Sequence, residues 1–222
     1  KHIATGGEFP TVTIWDAVAG KKLQTLYGPP GFLTGIAISP DGEKIATGHN
    51  DSSAILWDIS TGKKVLTLTG HSMSVYAIAF SPDGKQIATA GMDQSAKIWD
   101  AATGENLLTL TGHTASILTL AFSSDGSHLL TGGHDSTARI WDISSVDAPI
   151  QEMLTITGHD GYVDTVFFSP DGKMFATGSF QDGTVRIYLL DPIDLASLAR
   201  SRLTRDFTIL ECQKYLNVPS CP

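Results

Sequence analysis

Short apolar runs separated by turn residues dominate the chain as far as Leu190. Runs such as Val75–Phe80 and Ile87–Thr89 are apolar at neighbouring as well as alternate positions, which indicates strands covered on both faces. An Asp-Gly pair separates these two runs and gives the backbone the freedom to form a tight hairpin. Ala96–Asp100 and Asn106–Thr111 are predicted as the third and fourth strands of the same antiparallel unit.

This four-strand pattern repeats along the chain. Trp15, Trp57, Trp99 and Trp141 are each followed by aspartate and are spaced 42 residues apart, and Tyr188 marks a degenerate fifth copy. Gly-His pairs and Ser-Pro-Asp-Gly turns recur in the same register. Because several independent markers keep one spacing, the repeat is the structural unit of the chain.

Composition narrows the function classes. The 222 residues are 41% hydrophobic and carry a formal charge of −8, with Lys and Arg scattered along the chain. A nucleic-acid-binding protein normally has a basic patch, so we do not expect a nucleic-acid partner. No apolar run approaches the roughly 18 residues of a membrane-spanning helix, and Lys1–Thr5 leads directly into a strand rather than a signal peptide. We expect a cytoplasmic protein without membrane contact, and no motif indicates a cofactor.

A period of about 42 residues with Gly-His and Trp-Asp markers resembles the WD-repeat family of β-propellers, over residues 1–190. The resemblance implies an all-β propeller of four-stranded antiparallel blades. Residues 1–26 provide three strands, three complete copies follow, and the last copy has three strands. We therefore expect about five blades in an incomplete ring.

The resemblance also implies a hydrogen-bonded tetrad in each blade, and two copies are complete. They are His71, Thr89, Asp93 and Trp99, and His113, Thr131, Asp135 and Trp141. A buried imidazole needs partners on both nitrogens, which a turn aspartate and a strand hydroxyl can provide. A Ser/Thr-His-Asp hydrolase is the alternative, but an active site is rarely repeated in successive structural units. We expect a structural role and no catalytic residues.

The tetrads are incomplete towards both ends of the chain. Pro29 stands at the histidine position of the second blade, and Phe9 stands at the aspartate position of the first. The last blade keeps His159 with Tyr188 in place of tryptophan.

An arc of five blades leaves two blade faces uncovered, since propellers of this family usually close with about seven blades. Uncovered faces and edges favour aggregation. We expect that the chain is a fragment with further blades upstream of Lys1. Assembly with another chain and deliberate truncation remain alternatives.

Residues 191–222 are predicted to form a short α-helical tail packed on the propeller. Asp191-Pro192 resembles a helix start, and Thr208 with Glu211 resembles a second one. Cys212 and Cys221 could form a disulfide or remain reduced, and zinc is disfavoured because two more ligands are lacking. The tail resembles segments that follow C-terminal propellers in large bacterial multidomain signalling proteins.

Family members commonly bind partners on the face that carries the loops entering each first strand and the turns between second and third strands. We call this the upper face. The candidate partner-binding residues there are Phe32, Asn50, Met92, His134, Tyr162 and Gln181. Aromatic residues and methionine are typical interface anchors, but ordinary loop residues are an equal alternative.

The resemblance implies a non-catalytic protein-interaction or ligand-sensing scaffold, the C-terminal sensor module of a larger bacterial signalling protein. The expected partners are a protein or peptide and the upstream domains of the same parent chain. A structural oligomerisation module that assembles through open blade edges is the alternative. A propeller enzyme is disfavoured, because no unlike polar residues depart from the repeat.

Overall fold

The computed structural model describes residues 2–7, 9–145 and 151–190, which form five antiparallel sheets in chain order. Sheet I consists of β1 (His2–Gly6), β2 (Thr11–Asp16) and β3 (Lys22–Tyr27). Sheet II consists of β4 (Leu33–Ile38), β5 (Lys44–His49), β6 (Ala54–Asp58) and β7 (Lys64–Leu68). Sheet III consists of β8 (Val75–Phe80), β9 (Gln86–Gly91), β10 (Ser95–Asp100) and β11 (Asn106–Thr111).

Sheet IV consists of β12 (Ile117–Phe122), β13 (His128–Gly133), β14 (Ala138–Asp142) and β15 (Gln151–Ile156). Sheet V consists of β16 (Thr165–Phe168), β17 (Met174–Ser179) and β18 (Thr184–Leu189). The prediction of five blades, with three complete ones between two three-stranded ones, is confirmed. The predicted helical tail, with Cys212 and Cys221, lies outside the described residues.

Each sheet is a simple meander in which consecutive strands pair. The first strands of neighbouring sheets pack side by side, β4 against β8, β8 against β12 and β12 against β16. The sheets therefore stand around a common axis as an open ring, with first strands inside and fourth strands outside.

Neighbouring sheets fit together because small residues on one sheet face large residues on the next. Ala88 and Ala96 of sheet III form one buried cluster with Leu129 and Trp141 of sheet IV. Ala46 of sheet II likewise packs in a cluster with Trp99 of sheet III. The alanines leave room for the indole rings, which are the largest fully buried side chains, so the rings are removed from water.

The hairpins between first and second strands follow the Asp-Gly prediction. Gly84 has a φ of 73°, which is in the left-handed region that glycine adopts without steric cost. The Asp83 carboxylate accepts hydrogen bonds from the Ser81 hydroxyl at 2.7 Å and the Lys85 backbone N–H at 3.0 Å. These hairpins lie on the face opposite to the upper face, which we call the lower face.

Sheet V exposes apolar side chains on the face that no described sheet covers. Val185 and Ile187 are 71% and 70% exposed, and Phe167 lies beside them on the same face. In sheets III and IV the equivalents of Val185 are Ala96 and Ala138, which are buried against the next sheet.

Tetrads and candidate interaction face

The tetrad of sheet III joins an upper-face loop to three strand or turn positions. His71 lies in the loop before β8; its Nδ1 is 2.9 Å from Asp93 Oδ2 and its Nε2 is 2.7 Å from Thr89 Oγ1. Trp99 Nε1 donates to the same hydroxyl at 2.7 Å. Asp93 also accepts the backbone N–H of Ser72, so it ties the loop twice.

Sheet IV has the same arrangement. His113 contacts Asp135 at 2.9 Å and Thr131 at 2.8 Å, and Trp141 Nε1 donates to Thr131 at 2.9 Å. The backbone N–H of Thr114 donates to Asp135, as Ser72 does to Asp93. The structure thus brings together all eight side chains that the resemblance grouped into two tetrads.

The protonation states follow from burial and hydrogen bonding. Burial lowers the pKa of His71 and His113 below the usual histidine range, although the neighbouring carboxylates act in the opposite direction. Burial acts to raise the pKa of Asp93 and Asp135, but hydrogen bonds from the loop N–H groups and nearby hydroxyls outweigh it and lower both. Neutral imidazoles therefore face ionised carboxylates at neutral pH.

This assignment fixes the direction of each hydrogen bond. An ionised carboxylate only accepts, so Nδ1 of His71 carries the proton and Nε2 accepts from the Thr89 hydroxyl. The hydroxyl oxygen in turn accepts from Trp99. Thr89 and Thr131 are buried, so neither hydroxyl faces solvent where a substrate could reach it. The arrangement stabilises the blade.

Sheets V and I keep parts of the pattern. His159 lies 2.7 Å from Asp182 and 2.8 Å from Thr177. Tyr188, which replaces tryptophan, stacks on Phe175 with 5.0 Å between ring centroids. In sheet I, Trp15 Nε1 still donates to Thr5 at 2.8 Å, in an exposed position.

Sheet II contains an imidazole that the sequence analysis did not identify. His49, at the end of β5, is 2% exposed, and its Nε2 lies 2.8 Å from Thr47 Oγ1, which also accepts the N–H of Trp57. The ring is thus supplied by the strand, while the loop position holds Pro29. Nδ1 of His49 is buried and has no hydrogen-bond partner among the described residues.

The two origins of the imidazole use closely neighbouring space. In sheet IV the equivalent of His49 is Gly133, and a Cβ there would lie 3.1 Å from His113 Nδ1. In sheet II a Cβ on Gly28 would lie 2.6 Å from His49 Cε1. His49 stands at a position that is glycine in sheet IV, and its repeat lacks the loop histidine. These two departures from the repeat were the signal that could have identified His49.

The candidate partner-binding residues all lie on the upper face and are exposed. Phe32, Met92 and Tyr162 are 58%, 40% and 42% exposed. His134 of sheet IV and Tyr162 of sheet V contact each other across the blade boundary, with 4.2 Å between ring centroids.

The amide side chains of the same set hold loop backbone. Asn50 Oδ1 accepts the backbone N–H of Phe32 at 2.8 Å. Gln181 Oε1 accepts the backbone N–H of Tyr162 at 3.2 Å. Asn50 and Gln181 therefore position the two aromatic residues that precede β4 and β16.

The described ranges contain no group of three or more His, Cys, Asp or Glu side chains that could hold a metal ion. No helix long and apolar enough to span a membrane occurs in the part of the chain that the structure describes.

A ring of four-stranded meanders with repeated His-Thr-Asp-Trp networks defines a repeat β-propeller. The chain belongs to the family described as WD domain, G-beta repeat, whose profile matches residues 20–58, 62–100, 104–142 and 150–188. Each matched segment runs from the outer strand of one sheet to the third strand of the next, so the sequence repeat links neighbouring blades.

Among curated proteins, the chain is similar to the nuclear distribution protein PAC1 of Mycosarcoma maydis. The two are 38% identical over 45 residues, which is 20% of this chain and 10% of the relative. The similarity is about as long as one repeat.

Proposed function

We propose that the chain is a non-catalytic scaffold that binds a protein or peptide partner on its upper face. The observation that carries the proposal is the exposure of Phe32, Met92 and Tyr162 on one face of the arc, which also carries the buried hydrogen-bonded networks of sheets III and IV. Phe32 and Tyr162 lie in loops that precede first strands, and Met92 lies in a turn between second and third strands. A rigid base below exposed anchors reduces the entropy lost on binding. Large apolar and aromatic side chains are the usual energetic centres of protein interfaces.

The test is selection of a random peptide library on the immobilised chain, followed by affinity measurement with purified variants. We expect Phe32→Ala, Met92→Ala and Tyr162→Ala to leave the free energy of unfolding within about 0.5 kcal/mol of the wild type. At least two of them should weaken binding of the selected peptides by about fivefold or more, which is about 1 kcal/mol.

Lys63→Ala on the lower face is the matched control and should change neither quantity. Selected peptides whose affinity is unchanged in all three upper-face variants would contradict the proposal.

Within this function, we infer a sensor module in a larger cytoplasmic bacterial signalling protein, in which upstream domains of the parent chain are further partners. The support is the resemblance of residues 191–222 to segments that follow propellers in such proteins. Co-purification of the propeller with the separately expressed upstream region of the parent gene product tests it, and absence of a complex at micromolar concentrations contradicts it.

A structural oligomerisation module is the second candidate, and the apolar face of sheet V favours it. Phe167, Val185 and Ile187 together form an exposed apolar patch, a common feature of interfaces. Light scattering should then give a mass above that of one chain, and Val185→Asp should reduce it. Val18→Asp, at an exposed lower-face turn, is the control. A wild-type chain that stays monomeric excludes this candidate.

A further inference from the structure

Carboxylates occur on both faces of the arc, but the two faces differ in their content of Lys and Arg. The upper-face segments 28–32, 50–53, 70–74, 92–94, 112–116, 134–137, 157–164 and 180–183 contain no Lys or Arg. They contain the aspartates Asp51, Asp93, Asp135, Asp160, Asp164 and Asp182. The lower face carries aspartates and glutamates as well, but most of their charge is offset by the lysines Lys21, Lys22, Lys44, Lys63, Lys64, Lys85 and Lys173. The upper face is therefore the more acidic of the two.

Part of this negative charge lies just below the surface. The side chains of Asp93, Asp135 and Asp182 are ionised and nearly buried, and each is held by a histidine Nδ1 and a loop N–H. Since burial keeps His71 and His113 neutral by lowering their pKa, they do not cancel the adjacent charges. Charges in a low-dielectric interior are screened less than exposed ones, so their field extends above the upper face.

Three cations lie near the outer flank of this face, and each is engaged by a local partner. Lys97 donates to the Thr109 hydroxyl, Arg139 pairs with Glu152, and Arg186 donates to the Gly158 carbonyl. They offset the aspartates only in part, because the upper face has six aspartates, with at least one in each of sheets II to V.

The loops at the boundary of sheets IV and V carry both aromatic side chains and exposed carboxylates. The Tyr162 ring rests against His134, with Asp160 before it and Asp164 after it in the chain, all three exposed. Phe180 lies close by, since its backbone N–H donates to Asp164 Oδ2 at 2.8 Å. An exposed aromatic ring in a loop with two carboxylates attracts a cationic side chain through both its quadrupole and the neighbouring charges.

We propose that the partner of the upper face is a basic peptide segment, in which a Lys or Arg side chain engages Tyr162 between Asp160 and Asp164 and apolar side chains contact Phe180 or Met92. This inference rests on the proposed interaction function and names the chemistry of the partner. An acidic or phosphate-bearing partner is disfavoured, because its charge has the same sign as that of the face.

The probe is a fluorescein-labelled nonapeptide in which arginine and phenylalanine alternate, with one alanine between each arginine and the next phenylalanine and between each phenylalanine and the next arginine. In two matched peptides, every arginine is replaced by glutamate or by glutamine. Binding to the full chain is followed by fluorescence polarisation. We expect the arginine peptide to bind more tightly than the glutamine peptide by tenfold or more, and the glutamate peptide to show no binding. Raising the ionic strength from about 0.05 to about 0.5 M should weaken binding.

Variants locate the interaction. Asp160→Asn and Asp164→Asn should each weaken the arginine peptide about fivefold, which corresponds to a moderate ion-pair contribution. Asp164→Asn retains an oxygen that can accept the Phe180 N–H, so the loop should keep its conformation. Asp83→Asn and Asp171→Asn on the lower face remove the same charge and should have no effect.

The outcomes separate this inference from the proposed function. Equal effects of upper-face and lower-face variants mean general attraction of a basic peptide to an acidic chain and overturn the inference. Library-selected peptides that depend on Tyr162 but are not enriched in Lys or Arg overturn the inference and leave the scaffold function standing. Peptides that depend on no upper-face residue overturn both.

Discussion

Sheets II and III contain the same buried pair of a threonine hydroxyl and an indole N–H, but they obtain the imidazole from different parts of the chain. In sheet III, His71 comes from the loop, so the bond to Thr89 also fixes that loop. In sheet II, His49 lies two residues from Thr47 on the same strand, so the bond is local. The interior hydrogen bond and the anchoring of the upper-face loop are therefore separable functions of the network.

The loop of sheet II is held in another way. Asn50, next to His49, accepts the N–H of Phe32, and a Cβ on Gly31 would lie 2.1 Å from its Oδ1. The turn residue at the equivalent position of sheet III is Met92, which has no acceptor oxygen. The exposed side-chain amide of Asn50 therefore positions Phe32, whereas the nearly buried Asp93 carboxylate fixes the loop of sheet III.

The largest expected difference between the two sheets concerns loss of the imidazole. His71→Leu removes the hydrogen bond of a neutral imidazole to the buried Asp93 carboxylate and the acceptor of the Thr89 hydroxyl, so we expect a loss of about 2–4 kcal/mol in the free energy of unfolding. His49→Leu removes one hydrogen bond from Thr47, which keeps those to Trp57 and Ile55, so the loss should be about 1 kcal/mol. Urea unfolding followed by tryptophan fluorescence measures both, and equal losses would contradict the comparison.

A transplant of the loop imidazole should make sheet II resemble sheet III. His49→Gly leaves a cavity and should cost about 2–3 kcal/mol. Adding Pro29→His places a ring where His71 lies in sheet III, within reach of Asp51, and should restore about 1–3 kcal/mol of that loss.

Pro29→His alone should not stabilise the protein, because His49 already fills the position. Amide exchange in segment 28–32 should slow only in the double variant. If the free energy of unfolding of the double variant does not exceed that of His49→Gly, an imidazole from the loop cannot replace the imidazole from the strand.

The pH dependence of stability should also separate the histidine and aspartate contributions. Burial lowers the pKa of His49, His71 and His113, so the unfolded chain takes up protons first as the pH falls. The stability that these groups contribute is complete above about pH 6.5 and declines below it, by at most about 1.4 kcal/mol per pH unit for each histidine.

His49→Gln should reduce the slope of stability against pH by up to the contribution of one histidine, which is about 1.4 kcal/mol per pH unit. Met92→Ala should leave the slope unchanged. The pKa of Asp93 and Asp135 is lowered, so their contribution is complete above about pH 3.9 and is lost only below that value. Urea midpoints between about pH 7 and about pH 5 that do not change would contradict the histidine part.

The smallest expected difference concerns the exposed turn residues. Asn50→Ala removes the acceptor of the Phe32 N–H and should cost about 0.5–1 kcal/mol while accelerating amide exchange at Phe32. Met92→Ala, at the equivalent position, should change stability by less than about 0.5 kcal/mol. Unchanged exchange at Phe32 in Asn50→Ala would show that the loop does not depend on this amide.

The strands were predictable because each is bounded by turn residues, and the second strands of sheets II to IV are buried on both faces. β8 and β11 have the predicted limits, and β10 begins one residue earlier than predicted. The proximity of the tetrad residues could be inferred from the register of the repeat. The repeat offered a signal for His49, a histidine at a glycine position in the copy with Pro29 in its loop, but only the structure shows that its ring reaches Thr47. The helices expected after Leu190 and the pairing of Cys212 with Cys221 stay predictions.

The sequence by itself determined the blade: a 42-residue spacing, apolar runs and Asp-Gly turns specify a meander whose local hydrogen bonds follow from strand geometry. Tertiary structure decided which side chain fills each buried position and which loops meet. His134 and Tyr162 belong to different sheets and come into contact only because those sheets pack side by side. His49 replaces a loop histidine because a buried cavity accepts any ring of suitable size and hydrogen-bonding capacity, whichever segment carries it.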